Sequence, residues 1–551
     1  MTLSFLFFNA LAACLLWTAG STAAGVRCHR PWLRRLLIVL GLLAPLLALL
    51  PWLAGTGVLA FIARLEVNWF APALTLFLSA LIGGGWIMKA GTQPRGGGWS
   101  TVPAASWPVT GLFGLFLLAK LSSAGLLLWL DAAAASRAGL LKIEAADLMQ
   151  TNLPPAVPDT VNAAGLYRAA FAVLQDAAAA DQSAEALATA DTIDPTSPVV
   201  ISLLDRHRPT LQLLRAAASR DVCRFSRDWT RPSVDMLIPE IGHFRQSARL
   251  LRLAARRAAA EGRAAASLRD TALLSRLGRH AAAEPLLISG LVEIAIDGTA
   301  VATLGEVLPT LTPADLPLLD EPLLRDFVVV PPSLTRHFYG EESWGLRTFA
   351  SFAEGRLGTE SLGMRPEFAA GQFVSLPSSA ASPALLFYRI FLLPHDLTGY
   401  RNAMRTQQRL VAQELSYTEK KRAYADLEQR LQKNRPGILS SLILPALSAA
   451  MRAEATSQAR HRVAQAAVAA TRMRLEEGRL PPDLNTLVPR YLPAVPADLF
   501  TDGAALKARV KDGGLLIYSV GPNGVDDDGP APPGVDPPSS NDDLGLRLPI
   551  E

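Results

Sequence analysis

The sequence predicts a mainly α protein: a four-helix transmembrane anchor, an extracytoplasmic helical domain rich in αα-hairpins, and a small α+β module at the C-terminus. Three observations predict it. Half of the 551 residues are hydrophobic, only 19% are charged, and the mean hydropathy is +0.23. Ordinary globular domains carry about 25% charged residues, so part of the chain suits lipid. Four long apolar stretches crowd into the first 131 residues, and helical periodicity dominates the remainder of the chain. The 53 basic and 49 acidic residues leave a net charge of +4. That balance argues against a nucleic-acid partner.

The anchor comes first, over residues 1–131. Its stretches are Leu3–Ala24, Leu36–Ala63, Trp69–Met88 and Pro108–Leu130. Each reaches the ~20 residues that a helix needs to cross a hydrocarbon core. Arg27, Arg30, Arg34 and Arg35 fill the first loop, and Lys89 and Arg95 the third. Positive loops face the cytoplasm, so both chain ends and everything beyond Asp131 are expected outside it. The first stretch lacks the basic start and cleavage site of a signal peptide. Cys14 follows Leu11-Ala12-Ala13 as a lipidated cysteine does, yet Leu15, Leu16 and Trp17 continue the apolar run where a polar tether is the rule. Lys120 inside the fourth stretch is a functional-site candidate, or a packed or snorkelling side chain.

The helical domain is expected over residues 132–437. Residues 132–149 extend the fourth stretch outward. Asn162 is placed to cap a helix through Tyr167 and Phe171, and another helix is expected over Pro198–Ser219. Helix Ile241–Ala260, the turn Glu261-Gly262 and helix Arg263–Leu277, ended by Gly278, form an αα-hairpin. It is similar to a tetratricopeptide-type unit, but no second copy recurs at a fixed period. Pro285–Ile296 reads as a buried helix. Thr312-Pro313-Ala314-Asp315 carries the cap, N1 proline and N3 acid of a helix start. Glu341-Glu342 reads as a solvated helix start, because sequence neighbours point apart on a helix. Tyr400–Lys433 reads as one charged helix. Its charge and caps predict a domain that folds from about Leu153 onward without the anchor.

Residues 438–551 hold the most specific pattern. A long helix from Ile438 to Glu477 ends at Gly478. Leu480-Pro481-Pro482-Asp483-Leu484-Asn485-Thr486-Leu487 comes next, then Asp498-Leu499-Phe500, strands near Ala505–Val510 and Leu515–Val520, and Tyr518-Ser519-Val520-Gly521. This order resembles the C-terminal half of type II secretion major pseudopilins, over about Ala464–Asp543. Leu499 stands where that pattern has proline, and the chain start carries no prepilin leader, so only the module is shared. Joined to membrane helices and an Ala-rich middle, it also resembles large planctomycete-type membrane proteins. Asn162-Ala163-Ala164-x-x-Tyr167-Arg168-x-Ala170-Phe171 and Leu287-Ile288-Ser289-x-Leu291-Val292-x-Ile294-Ala295 carry that second likeness.

The pseudopilin resemblance implies a calcium loop after the Tyr-Ser strand, with Asp526, Asp527, Asp528, Asp542 and Asp543 as oxygen ligands. A flexible acidic loop without metal is the alternative. There is no P-loop, so no nucleotide is expected, and no His-Glu-x-x-His or Gly-x-Ser-x-Gly. Asp205-Arg206-His207 and His243 are the residues available to join a distant serine. The expected function is a membrane-anchored scaffold or interaction protein of the bacterial cell envelope, without catalysis and with a protein partner. An accessory of a secretion or pilus-like system is the runner-up. An envelope hydrolase without a familiar motif is the third reading, favoured by a pocket of coupled carboxylates and histidine.

Overall fold

The computed structural model describes Trp32 and residues 132–178, 193–229, 238–354, 388–434, 437–444, 447–511, 513–530 and 541–549. The four expected spans, with Cys14 and Lys120, lie outside the described residues. The described chain is mainly helical with one small three-stranded sheet. It divides into two compact units. One comprises residues 1–137 and 352–392, and the other residues 138–351 and 393–551. The second unit holds both the helical middle and the C-terminal module.

Helix α1 spans residues 132–152, followed by α2 (Ala164–Ala178), α3 (Pro198–Arg206) and α4 (Arg208–Ala218). The single helix expected over Pro198–Ser219 is therefore two. The chain breaks at His207, where Pro209 at the second helical position starts a new helix. Asn162 behaves as a cap: its Oδ1 accepts from the Ala164 amide at 3.1 Å and from the Arg224 amide at 2.9 Å. Asn162, Ala163, Ala164, Tyr167, Ala170 and Phe171 are all buried.

The predicted hairpin is present as α5 (Glu240–Ala260) and α6 (Ala264–Ala281). Gly278 does not end α6. It lies inside the helix, where a Cβ would sit 3.3 Å from the Glu293 carbonyl. The glycine marks a helix crossing, not a cap. Helix α7 (Leu287–Val307) runs past the predicted end and packs on α5, α6 and the last long helix. A capping box then opens the 3₁₀ turn Pro313–Asp320, as predicted: the Thr312 amide donates to Asp315 at 2.9 Å. Helices α8 (Pro322–Val329) and α9 (Thr335–Ala353) come next.

Helix α9 overturns the reading of Glu341-Glu342 as a solvated start. The helix begins at Thr335, whose amide donates to Ser333 Oγ at 3.3 Å, so the two glutamates lie in its interior. Glu342 is buried and accepts from Gln408 Nε2 at 2.6 Å. The charged segment expected as one helix is two, α10 (Leu393–Ala412) and α11 (Tyr417–Asn434), because Ser416 and Glu419 cap a new start. Helix α12 (Ile438–Ile443) and the 31-residue α13 (Leu447–Glu477) complete the set. Gly478 follows α13 at φ +71°, the left-handed geometry that glycine takes without steric cost.

Three antiparallel strands close the fold: β1 (Lys507–Lys511), β2 (Gly514–Ser519) and β3 (Leu544–Pro549). The first two answer to the strands read in the sequence; β3 has no counterpart there. Strand β2 lies between the others, with Leu515 opposite Val510 and Leu548, and Ile517 opposite Ala508 and Leu546. All of β2 is buried, and the sheet packs on α13. One continuous apolar core runs from Tyr167 and Phe244 through Leu274, Leu304 and Val463 to Ile517.

Among the described residues, two helical stretches are long and apolar enough to cross a membrane, Leu287–Thr310 and Ile438–Glu477. Within the first, 67% of the apolar window is buried inside the protein. A helix that is apolar on all sides suits the centre of a large core as well as a bilayer.

Helix α1 belongs to the folded unit from residue 138 onward, which moves the domain start ahead of Leu153. Ala138, Leu141, Ala145 and Met149 are buried on one face. Ser343 Oγ donates to the Ala145 carbonyl. Expressed alone, residues 132–551 are expected to melt cooperatively. Residues 153–551 are expected to melt at least about 5 °C lower, for want of that apolar contact. Circular dichroism on the two fragments checks this; equal melting temperatures would refute it.

Candidate functional site

The C-terminal module is organised by Asp498. Its carboxylate is buried and accepts from Ser519 Oγ at 2.7 Å, from the Val520 amide at 2.8 Å and from the Phe500 amide at 3.1 Å. Asp498-Leu499-Phe500 and Tyr518-Ser519-Val520-Gly521, separate in the sequence, therefore meet at one carboxylate. Phe500 packs edge-on against Tyr417 of α11, with ring centroids 4.6 Å apart.

The acidic loop lies between β2 and β3, and the five aspartates have separate tasks. Asp526 is bound by Lys507 Nζ, by Arg509 at 3.2 Å and by Tyr518 Oη at 2.9 Å. Burial pushes Asp526 upward, but the hydrogen bonds from Lys507 and Tyr518 outweigh it and hold the carboxyl below its ordinary value. Asp528 pairs with Arg509. Asp542 accepts the Asn523 amide at 3.1 Å, and Asp527 Oδ2 lies 3.4 Å from Asn523 Nδ2. Asp543 Oδ2 accepts from the Gly529 amide at 2.8 Å and the Asp527 amide at 3.1 Å. Burial, helped by the Asp527 and Asp526 charges, raises Asp543 above its ordinary value despite those amides.

The sequence contains no cation within this loop, and the structure supplies them from β1. Lys507, Arg509 and Lys511 alternate along the strand; the first two reach the Asp526 and Asp528 carboxylates, and Lys511 Nζ meets the Asp528 carbonyl at 3.4 Å. Residues two apart on a strand share a face, so the spacing Lys-x-Arg-x-Lys was the signal available. Among the described residues no three His, Cys, Asp or Glu side chains assemble as a metal-binding set. Calcium binding by the five aspartates therefore rests on the resemblance alone.

The helical middle buries further charged groups. Arg227 donates to both Glu240 and Glu284. Burial lifts Glu284 to about 7 despite that arginine. Glu341 is also lifted to about 7 by burial, against a single amide, that of Leu287, at 3.2 Å. The amide comes this close because Gly340 lies directly on the Pro285 carbonyl, where any Cβ would collide. His280 is lowered to about 3 by burial, and its Nδ1 is 2.9 Å from Tyr167 Oη. His337 is lowered to about 4 for the same reason and meets the Ala282 carbonyl at 3.2 Å. Cys223 is buried, and desolvation pushes its thiol far up.

Such shifts accompany catalytic sites and structural networks alike. Two cavities bear on the choice. One, of about 650 Å³, is lined by Leu140, Ile143, Leu148 and Tyr339; the other, of about 440 Å³, by Arg460 and Asp543 among others. Neither is lined by Glu284, Glu341, His280 or His337. Nor do Asp205, His207 and His243 form a triad. Asp205 pairs with Arg208 at 2.7 Å, His243 stacks on Phe171, and neither ring nitrogen of the buried His207 has a hydrogen-bond partner among the described residues.

One buried constellation has no trace in the sequence pattern. Asp297 accepts from Ser275 Oγ at 2.8 Å and lies 2.7 Å from His461 Nε2. The residue types are those of a triad, but the serine meets the aspartate instead of the histidine, so no base stands beside a nucleophile. The group ties α6, α7 and α13 together. No protein-family model matches the chain, and no curated protein or solved structure matches it.

Replacing Asp498 by Ala is expected to cost about 3 kcal/mol, because two buried amides and a hydroxyl lose their acceptor. Urea unfolding measures it, and a loss under about 1 kcal/mol would show that Asp498 does not organise the module.

Glu341 gives a prediction in pH. A carboxyl raised in the folded state costs stability once the unfolded chain ionises, so stability falls as pH rises from about 4.5 to about 7. Glu341→Gln removes that cost and keeps an acceptor for Leu287. Its melting temperature is expected to match the parent at pH ~4 and exceed it by roughly 2–4 °C at pH ~8. An equal difference at both pH values would refute the assignment.

Proposed function

We propose that this chain is a membrane-anchored, extracytoplasmic scaffold or interaction protein of the bacterial cell envelope. Four spans within residues 1–131 hold it in the inner membrane, with both termini outside the cytoplasm. The apolar stretches and the arginine-rich first loop support this arrangement.

The observation that carries the interaction reading is the outer face of α1. Leu140 and Ile143 are 69% and 62% exposed and line the open 650 Å³ cleft together with Tyr339. Exposed apolar side chains grouped at a cleft mark a surface for a partner. This helix also continues the fourth apolar stretch in sequence. The buried charged groups of the helical middle fit a rigid scaffold, since Arg227, Glu284, Glu341 and Asp297 each engage another part of the fold. An accessory role in a secretion or pilus-like system is the second reading. It is favoured by the meeting of Asp498 with Ser519 and Val520, which joins the two halves of the pseudopilin-like pattern.

Two fusions and one cross-link test the proposal. A phosphatase reporter after Ala156 is expected to be active, and one at Gly97 silent. A photo-cross-linker at Ile143 is expected to capture a discrete protein, and Leu140→Glu to reduce that capture about tenfold or more. A silent reporter at Ala156 would overturn the topology. Cross-linking only to lipid would overturn the partner.

A further inference from the structure

The 440 Å³ cavity lies between α7, α13 and β3. On α7 it is lined by Ala295, Gly298, Thr299 and Ala302, which share one helix face at spacings of three and four. Val463 and Leu546 add apolar wall from α13 and β3. Small side chains on α7 leave the space open.

Arg252, Arg460 and Asp543 are the charged residues of the lining among the described residues. The fold itself answers two of them. Arg252 Nη2 donates to Glu306 at 2.8 Å. Asp543 Oδ2 accepts the Gly529 and Asp527 amides, and its Oδ1 is buried, so this carboxylate is held by its own loop.

Arg460 is different. It is half-buried and has no hydrogen bond or ion pair among the described residues. Burial holds its guanidinium below the ordinary value, against the field of Asp297. Asp297 cannot serve as its partner, because Ser275 and His461 occupy that carboxylate. The neighbouring helix makes room for the arginine: a Cβ on Gly298 would sit only 2.7 Å from Arg460 Nη1.

A charge withdrawn from water is costly unless it is paired. The two arginines and one aspartate of the lining leave one positive charge in excess, and Arg460 is the cation without a partner. The volume falls within the roughly 300–1,000 Å³ typical of small-molecule sites. We propose that this cavity binds a small aliphatic monocarboxylate, its carboxylate on the Arg460 guanidinium and its chain along Ala295, Ala302 and Leu546. A guanidinium matches a carboxylate through two parallel hydrogen bonds. One negative charge completes the balance. A phosphate carries more than one near neutral pH and has no chain to lay on the apolar walls.

The test is calorimetry on the detergent-solubilised full chain with acetate, butyrate and hexanoate. Butyramide and hexanamide, which keep the chain and lose the charge, are the controls, and inorganic phosphate is the competing anion. Butyrate or hexanoate is expected to bind about tenfold or more tightly than acetate, than its own amide and than phosphate. Arg460→Gln is expected to weaken that binding at least about tenfold, while circular dichroism shows a fold and melting temperature like the parent's, since no hydrogen bond or ion pair is lost. Ala302→Phe, at an exposed position of the lining, is expected to block the cavity and abolish binding. If Arg460→Gln fails to fold, the arginine serves the fold and the proposal falls. Absence of binding by all three carboxylates at millimolar concentration would overturn it. So would amides or phosphate that bind as well as the carboxylates, or full binding by folded Arg460→Gln or Ala302→Phe.

Discussion

Asp297 is the point on which the second unit turns. Helix α7 is the most apolar of the long helices there, and it sits among α5, α6, α13 and β3. Apolar packing alone specifies contact but leaves a helix able to slide or rotate. A buried carboxylate removes that freedom, because it is tolerated only where its partners are. Ser275 and His461 supply those partners from α6 and α13. His461 also reaches the Val328 carbonyl at the end of α8, at 3.3 Å. One side chain thereby fixes the register of four helices. The sheet then packs against a helix whose position is already set.

Legibility in the sequence tracks the range of the interaction. The α5–α6 hairpin, the capping box at Thr312 and the glycine after α13 depend on neighbours a few residues away, and all three are readable. Gly278 misleads because the same residue serves a helix end or a helix crossing, and only the position of α7 decides between them. Glu341 and Glu342 mislead because their burial comes from α7 and α10, far along the chain. Strand β3 is hidden because Leu544, Leu546 and Leu548 alternate within a stretch whose prolines, glycines and aspartates speak for a loop.

The candidate sites show the same division. The acidic loop is visible as composition, and its partners Lys507 and Arg509 are visible as alternation, yet pairing them requires the sheet. Asp543 is, in the sequence, one of five similar carboxylates. The structure separates it from the rest: Asp526 and Asp528 serve strand β1, while Asp543 has one oxygen tied to the loop and one buried without a hydrogen-bond partner among the described residues. Arg460 gives no signal at all among the other arginines of α13. Its distinction is the glycine beneath it on another helix.

The three-stranded sheet has β1 at one border, with its outward backbone groups unpaired by any other strand of the sheet. Such borders invite the strand of a second molecule. This one is five residues long and alternates Lys507, Arg509 and Lys511. A second copy approaching in register would bring like charges together. The row of cations that binds the acidic loop within one molecule thus also acts between molecules, as a guard against edge-to-edge aggregation in a crowded compartment.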